Sequence, residues 1–318
     1  MPQTIAPSRR RVLACGASAF GLAVAGVPVR AAGPLSAVAT TGMIADALRV
    51  IGGDAVTAQA LMGSGIDPHA YRQTRSDIVA LTRADVVFWN GLYLEAQMEA
   101  FLVRLQRRGS VIAVAEALPA DLRIAHEDYA GRHDPHIWMV PDLWRYAVEA
   151  VRDGLMAARP DQADALMARH AAYLTQMERV GAYARDLLAT VPAAARVLLT
   201  AHDAFGYFGR AYDYEVMGVQ GISTESEAGL DRIRTLTNLL VERRIGAVFV
   251  ESSVSDRNLR ALVEGAAAQG HTVRVGGEVF SDAMGAPGTY ESTYIGMIDH
   301  NATTIAGALG AKVPPRGM

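Results

Sequence analysis

The 318-residue chain contains one cysteine, Cys15, and one lysine, Lys312. Beyond the leading Arg9-Arg10-Arg11 run it has no basic cluster, it has no His-Glu-x-x-His helix, and aromatic residues make up only 7% of it. Its longest apolar run, Ala14 to Val27, is short and rich in glycine and alanine. Each of these absences excludes something. A lone cysteine closes no intramolecular disulfide and supplies no multi-thiolate metal site, so any metal must be held by nitrogen and oxygen. A formal charge of −3 without a basic patch argues against a nucleic-acid partner. A membrane helix needs ~20 apolar residues, which no segment provides. The bias of arginine over lysine is read as genome composition and carries no function.

Hydrophobic residues make up 51% of the chain and charged residues 20%. At this length, that is enough for two cores and therefore two domains. The first 31 residues are set apart from the fold. Ser8-Arg9-Arg10-Arg11-Val12-Leu13 precedes the apolar run, and Val29-Arg30-Ala31 follows as a small-residue cleavage site. This is the pattern of an export signal of the twin-arginine type, and it places the mature protein in the periplasm. Cys15 sits in a superficial lipid-attachment box, but most of the apolar region lies after it, so lipid anchoring is not expected. Loss of the leader also removes four arginines and no acid, leaving a more acidic body.

Short apolar runs then alternate with helical patterns. Strands are expected at Leu35 to Thr40, Val56 to Met62, Val86 to Trp89 and Val111 to Val114, with helices at Ile44 to Ile51, Ser76 to Thr82 and Leu94 to Gln106. Residues 119 to 141 break this rhythm with four prolines or glycines and read as a long loop holding His126, His133 and His136. Trp144 to Arg159 is helical, and Pro160 to Thr190 reads as one helix of about 30 residues, or roughly 45 Å, long enough to bridge two domains. Beyond Pro192 the alternation resumes, with strands at Arg196 to Thr200, Glu215 to Val219, Ala247 to Glu251 and His271 to Val275. Helices are expected at Phe205 to Ala211, Gly229 to Arg243, Asp256 to Ala268 and Tyr290 to Leu309. The fold class is therefore α/β, with two lobes of mostly parallel sheet flanked by helices and one long linking α-helix. The expected boundaries are 1–31 for the signal, 32–159 for the first lobe, 160–191 for the helix and 192–318 for the second lobe.

The triplet Asp67-Pro68-His69 returns as Asp134-Pro135-His136. His202 stands two residues past one strand, and Asp282 lies in the loop after another. Open α/β sheets bind ligands in the loops at the carboxyl ends of their strands, and all four residues fall there, two in each lobe. Three neutral imidazoles and a carboxylate suit Zn²⁺, Mn²⁺ or Fe²⁺. Taken singly, each could be an ordinary surface or capping residue. A zinc-dependent hydrolase and a receptor for a chelate such as a siderophore or vitamin are the alternatives. The first would need an open metal position and a general base, and the second brings its own ligands.

Asp67-Pro68-His69, Asp134-Pro135-His136-Ile137-Trp138, Thr200-Ala201-His202-Asp203-Ala204-Phe205-Gly206-Tyr207-Phe208 and Phe280-Ser281-Asp282-Ala283-Met284-Gly285 resemble the four metal-ligand segments of the periplasmic metal-binding receptors of ABC importers, the TroA-like superfamily. Gly221-Ile222-Ser223-Thr224-Glu225-Ser226-Glu227 resembles that family's segment after the third ligand. The resemblance implies a monomeric binding protein, not an enzyme. It would hold zinc, manganese or iron through His69, His136, His202 and Asp282 and pass the ion to a membrane permease. Relatives that favour manganese often carry glutamate at the position of His202, and dedicated zinc receptors often carry a long His-rich insertion before the second ligand. This chain has neither feature.

Among the remaining polar residues, Glu251 and Glu225 are candidates to orient ligand imidazoles. His126 and His133 are candidates for metal capture at the entrance. His170, His271 and His300 read as structural or exposed, and Trp89, Trp138, Trp144 and Tyr71 as packing at the lobe interface. Metal affinity is expected to fall with pH through the imidazole range near ~6.5.

Overall fold

The largely apolar runs Val86–Trp89 and Val197–Thr200, which have no helical period, become fully buried strands, one in each lobe. In the computed structural model the described residues are 1–3, 33–107, 109–126 and 129–314. The twin-arginine run, the apolar segment, Cys15 and the cleavage site lie outside them. The first lobe comprises β1 (Leu35–Ala39), α1 (Gly42–Gly52), β2 (Val56–Ala60), α2 (Arg75–Arg83), β3 (Val86–Trp89), α3 (Glu99–Gln106) and β4 (Val111–Ala113). Its strands are all parallel in the order β2-β1-β3-β4, with Leu35 opposite Val56, Ala37 opposite Val86 and Val87 opposite Val111. All four residues of the interior strand β3 are buried, as a strand covered by helices on both faces requires. A reciprocal capping box between Thr74 and Asp77 starts α2.

A loop then leads to α4 (Pro141–Ala158), which carries proline in its first turn, and to α5 (Ala163–Ala189). The 27 residues of α5 span about 40 Å at ~1.5 Å per residue. The second lobe follows as β5 (Val197–Thr200), α6 (Gly206–Tyr212), β6 (Glu215–Gly218), α7 (Leu230–Glu242), β7 (Ala247–Glu251), α8 (Arg257–Ala268), β8 (Arg274–Val279) and α9 (Tyr294–Ala308). Here the parallel pairs are β5 with β6 and β7 with β8, and β5 packs beside β7.

Several expected elements are shifted; the last helix, expected from Tyr290, begins only at Tyr294, after a 3₁₀ turn over Tyr290–Ser292. The helix expected from Leu94 begins only at Glu99. Residues 92 and 93 take positive φ, and the segment winds around Glu95, whose buried carboxylate accepts Thr40 Oγ1 at 2.6 Å and the backbone N–H groups of Asn90 and Gly91 at 2.7 and 3.1 Å. The last strand runs from Arg274 to Val279 rather than from His271 to Val275. Its glycine pair, Gly276-Gly277, is accommodated by an irregularity opposite Val248 and Phe249. Pro160 opens a short 3₁₀ turn before α5 rather than the α-helix itself.

From Pro34 onward the chain is one compact unit. Its main core runs through both lobes: Met43 and Leu48 of α1, Trp144 and Val148 of α4, Tyr173 and Val180 of α5, and Tyr294 and Ile305 of α9 all belong to it. Smaller clusters lie within each lobe. Asp46 is a polar pin in this core, accepting Tyr173 Oη at 3.0 Å and Tyr294 N at 3.1 Å. One buried carboxylate thereby ties the linking helix and the start of α9 to α1, and burial raises its pKa. The lobes are thus held in a defined relation, which fixes the distance between loops that belong to different sheets.

Candidate metal centre

The four expected ligands arrive from four loops at the carboxyl ends of strands. His69 follows β2, His136 ends the long loop after β4, His202 follows β5 by two residues and Asp282 follows β8 by three. Their side chains converge between the lobes. His69 Nε2 lies 3.2 Å from His136 Nε2 and 3.9 Å from Asp282 Oδ2. Asp282 Oδ1 is 3.3 Å from His136 Nε2, and Asp282 Oδ2 is 3.1 Å from His202 Nε2. Each residue offers one ligand atom, and all four atoms lie within 4.8 Å of one another. A tetrahedral shell with ligands ~2.0–2.1 Å from its metal has edges of about 3.3 Å, so most of these separations already match one. No residue of the set exceeds 3% exposure, which makes the centre dry.

Further side chains aim the rings. Asp134 Oδ1 lies 2.7 Å from His136 Nδ1 and also accepts the His136 backbone N–H at 2.9 Å. Glu251 at the end of β7 does the same for His202, with Oε2 2.6 Å from Nδ1 and Oε1 accepting the backbone N–H at 2.8 Å. A carboxylate on Nδ1 fixes the tautomer that presents Nε2 to a metal and raises the basicity of the ring. Two glycines make these approaches possible. A Cβ at Gly218 would stand 2.4 Å from Asp203 N and 2.7 Å from the His202 carbonyl carbon, and one at Gly206 would stand 2.8 Å from Asp134 Oδ2. Glu251→Gln is expected to cost about 10- to 100-fold in metal affinity, measured against a chelator of known strength. An unchanged affinity would remove Glu251 from its role as orienter.

The charges of the metal-free centre are coupled. Burial pushes the His69 pKa down to about 3, so this ring is neutral and ready to bind. Burial also opposes charge on His136, but Asp134 and Asp282 outweigh it and hold the pKa up at about 9. His202 is raised well above its ordinary value because Asp282 and Glu251 likewise overcome burial. Asp282 itself is held well below the usual carboxylate range: burial would raise it, and the neighbouring His202 and His136 prevail. Without metal, then, His136 and His202 favour their protonated forms beside the ionised Asp282.

Glu251 acts as expected from the sequence, whereas Glu225 is exposed and hydrogen-bonds Gln97 rather than a ligand imidazole. Asp134 is the orienter that sequence reasoning missed. Its signal was an aspartate two residues before a ligand histidine. His126 packs edge-on against Tyr93 and Tyr129, outside the four-residue cluster, and His133 pairs with Ala125 across an isolated bridge. His170 is buried on α5, His271 Nε2 lies 2.7 Å from Ile245 O, and His300 Nε2 lies 2.9 Å from Glu278 O. Of the four aromatics expected at the lobe interface, two are there. Trp138 donates Nε1–H to Ser281 O at 2.7 Å, and Trp144 stacks on Tyr294 with ring centroids 5.9 Å apart. Trp89 and Tyr71 instead belong to a satellite cluster of the first lobe, because their strand and loop face its outer helices.

The centre has no place for hydrolytic chemistry among the described residues. Of the nearby carboxylates, Asp134 and Glu251 are engaged on ring nitrogens, Asp67 on the His69 backbone N–H and the Thr224 hydroxyl, and both oxygens of Asp282 face the imidazoles.

Comparison with known proteins places this arrangement. The family model for the zinc-uptake complex component A, periplasmic, matches residues 37–308. The zinc-binding protein TroA of Treponema pallidum is 44% identical over 272 residues, covering 86% of this chain and 88% of that protein. The manganese-binding lipoprotein MntA of Bacillus subtilis is 45% identical over 275 residues, covering 86% of this chain and 90% of that protein. The solved structure of the periplasmic zinc-binding protein TroA from Treponema pallidum superposes with a TM-score of 0.85 at 43% identity, over 87% of this chain and 99% of that one.

Proposed function

Since the chain belongs to the zinc-uptake component A family, the substrate-binding proteins of metal ABC importers, we propose that it captures a divalent transition metal outside the cytoplasm and delivers it to a membrane permease. His69, His136, His202 and Asp282 are the ligands in this reading. The observation that carries it is the convergence of four buried donor atoms, each from a different strand-end loop, to within 4.8 Å of one another. The lobes, residues 32–159 and 192–318, present two ligands each, and the helix within 160–191 sets their separation. The protein works as a monomer without nucleic acid and reaches the periplasm through the twin-arginine signal in residues 1–31.

Zinc and manganese are both admitted as cargo. The relatives named for zinc and for manganese are almost equally similar to this chain. The donor set of three nitrogens and one carboxylate binds zinc more tightly on the divalent stability order. Asp282 can turn both oxygens inward, which offers the fifth contact that manganese favours over a four-ligand shell. The test is the metal content of the purified mature protein, followed by competition between Zn²⁺ and Mn²⁺ at buffered free concentrations. One ion per chain and tighter zinc binding are expected. A protein that retains neither ion would refute the carrier reading.

A further inference from the structure

The two Asp-Pro-His triplets form the same turn and then diverge. In both, the aspartate Oδ1 accepts the backbone N–H of the histidine, at 2.8 Å for Asp67 and 2.9 Å for Asp134. Asp134 also reaches the ring of its own histidine, 2.7 Å from Nδ1. Asp67 does not; its Oδ2 crosses to the second lobe and accepts the hydroxyl of Thr224 at 2.6 Å. His69 Nδ1 is buried and has no hydrogen-bond partner among the described residues. The position of His69 therefore depends on a turn whose other end is held by the opposite lobe.

The two flanks of the centre are joined across the lobes in different ways. On the His136 side the links are made by fully buried aromatics. Tyr207 Oη accepts Ile124 N–H at 3.1 Å and donates to Asp134 O at 3.0 Å, Trp138 Nε1–H donates to Ser281 O, and Tyr294 Oη donates to Trp138 O at 2.9 Å. On the His69 side the link is polar and half-buried. Asp67 and Thr224 both have intermediate exposure, and the neighbouring cross-lobe bond from Gln97 to Glu225 is made at the surface. Buried aromatic packing must be broken to open the first flank, whereas water can replace a half-exposed hydroxyl on the second.

We propose that Thr224 is the positioning residue for metal exchange: its hydroxyl, through Asp67, holds His69 in the ligand shell, and loss of that bond frees the first ligand loop while His136 stays anchored. The proposal rests on the carrier reading and deepens it by assigning the order in which the shell opens. His69 leaves first, because no carboxylate aims its Nδ1 among the described residues and the bond that ties its turn to the other lobe is exchangeable. His136 and His202, each aimed by a buried carboxylate, leave later.

The experiment follows release of zinc from the loaded mature protein into excess colorimetric chelator by stopped flow. Thr224→Val, which keeps the shape and removes the donor, is expected to bind one zinc per chain and release it about 10- to 100-fold faster, the range that a hydrogen bond to a charged group covers. Thr224→Ala should behave in the same way. Thr224→Ser, which restores the hydroxyl, should return release to the wild-type rate, and Gln97→Ala, which removes the surface bond, should leave that rate unchanged. Release from Thr224→Val no faster than from wild type overturns the proposal. So does a serine variant as fast as the valine variant, or a Gln97→Ala variant as fast as Thr224→Val. Failure of the wild-type protein to take up zinc would instead refute the carrier reading itself.

Discussion

His202→Ala is expected to lose about 10²- to 10³-fold in zinc affinity and to release its metal to chelators that the wild-type protein resists. The magnitude follows from the ~10–16 kcal/mol that structural zinc binding supplies, which is ~2.5–4 kcal/mol for each of four ligands. The geometry adds to that loss. His202 Nε2 faces Asp282 and its Nδ1 faces Glu251, so removing the ring leaves two buried carboxylates without the group that separates and neutralises them. An uncompensated buried charge is costly with or without a metal. Chelator competition on the variant measures the affinity, and its melting curve with and without zinc checks that the metal-free fold survives. A variant that still holds one ion as tightly as wild type would remove His202 from the shell.

Affinity is also expected to rise steeply with pH, across a higher window than an ordinary imidazole would set. A free histidine titrates near ~6.5, so a site of unperturbed rings would reach its plateau just above pH 7. Here His136 holds its proton up to about 9 and His202 is raised well above its ordinary value, while Asp282 stays ionised. Below those pKa values a proton occupies each of the two ring nitrogens that the metal needs, and binding must displace it. Lowering the pH therefore strengthens the competitor and weakens the metal. With a proton displaced from both rings, the affinity should change by about 100-fold per pH unit between pH 6 and 8. It should continue to climb toward pH 9. His69, lowered to about 3, contributes nothing to this slope. Calorimetry in buffers of different ionisation heat should show protons released at neutral pH. Constant affinity from pH 7 to 9, with no proton release, would contradict the charge pattern of the metal-free centre.

This second expectation corrects the simpler one available from residue types alone, which places the titration near the ordinary imidazole range. The chain shows that histidines are present. It does not show that Asp134 and Glu251 lie within 2.7 Å of two of their ring nitrogens. Burial acts on all three rings; the carboxylates on Nδ1 raise His136 and His202, whereas His69 lacks such a partner and is lowered further by the charges of its neighbouring histidines.

Much of the fold was legible for local reasons. Apolar runs such as Val86 to Trp89 and Ala247 to Val250 lie where their composition placed them, because a strand covered on both faces is apolar along its length. The long helix α5 was readable from an uninterrupted helical pattern after Pro160. The failures have tertiary causes. Glu95 draws its neighbours into a turn around a buried carboxylate, shortening α3, and β8 continues through Gly276-Gly277 because its pairing with β7 shifts register there.

The amino-acid sequence by itself determined the donor chemistry: three histidines and an aspartate in loops that follow strands, with a single cysteine in the whole chain. That much is local, since residue type and distance from a strand end are properties of a short segment. The tertiary structure alone decided how those donors are used. The identical triplets at 67–69 and 134–136 make the same turn, yet one aspartate aims its own histidine and the other bridges to Thr224. Of the two glutamates that could have oriented a ring, Glu251 does so and Glu225 stays at the surface. The difference comes from what the opposite lobe places within reach, and that depends on α5, Asp46 and the shared core that hold the two lobes together.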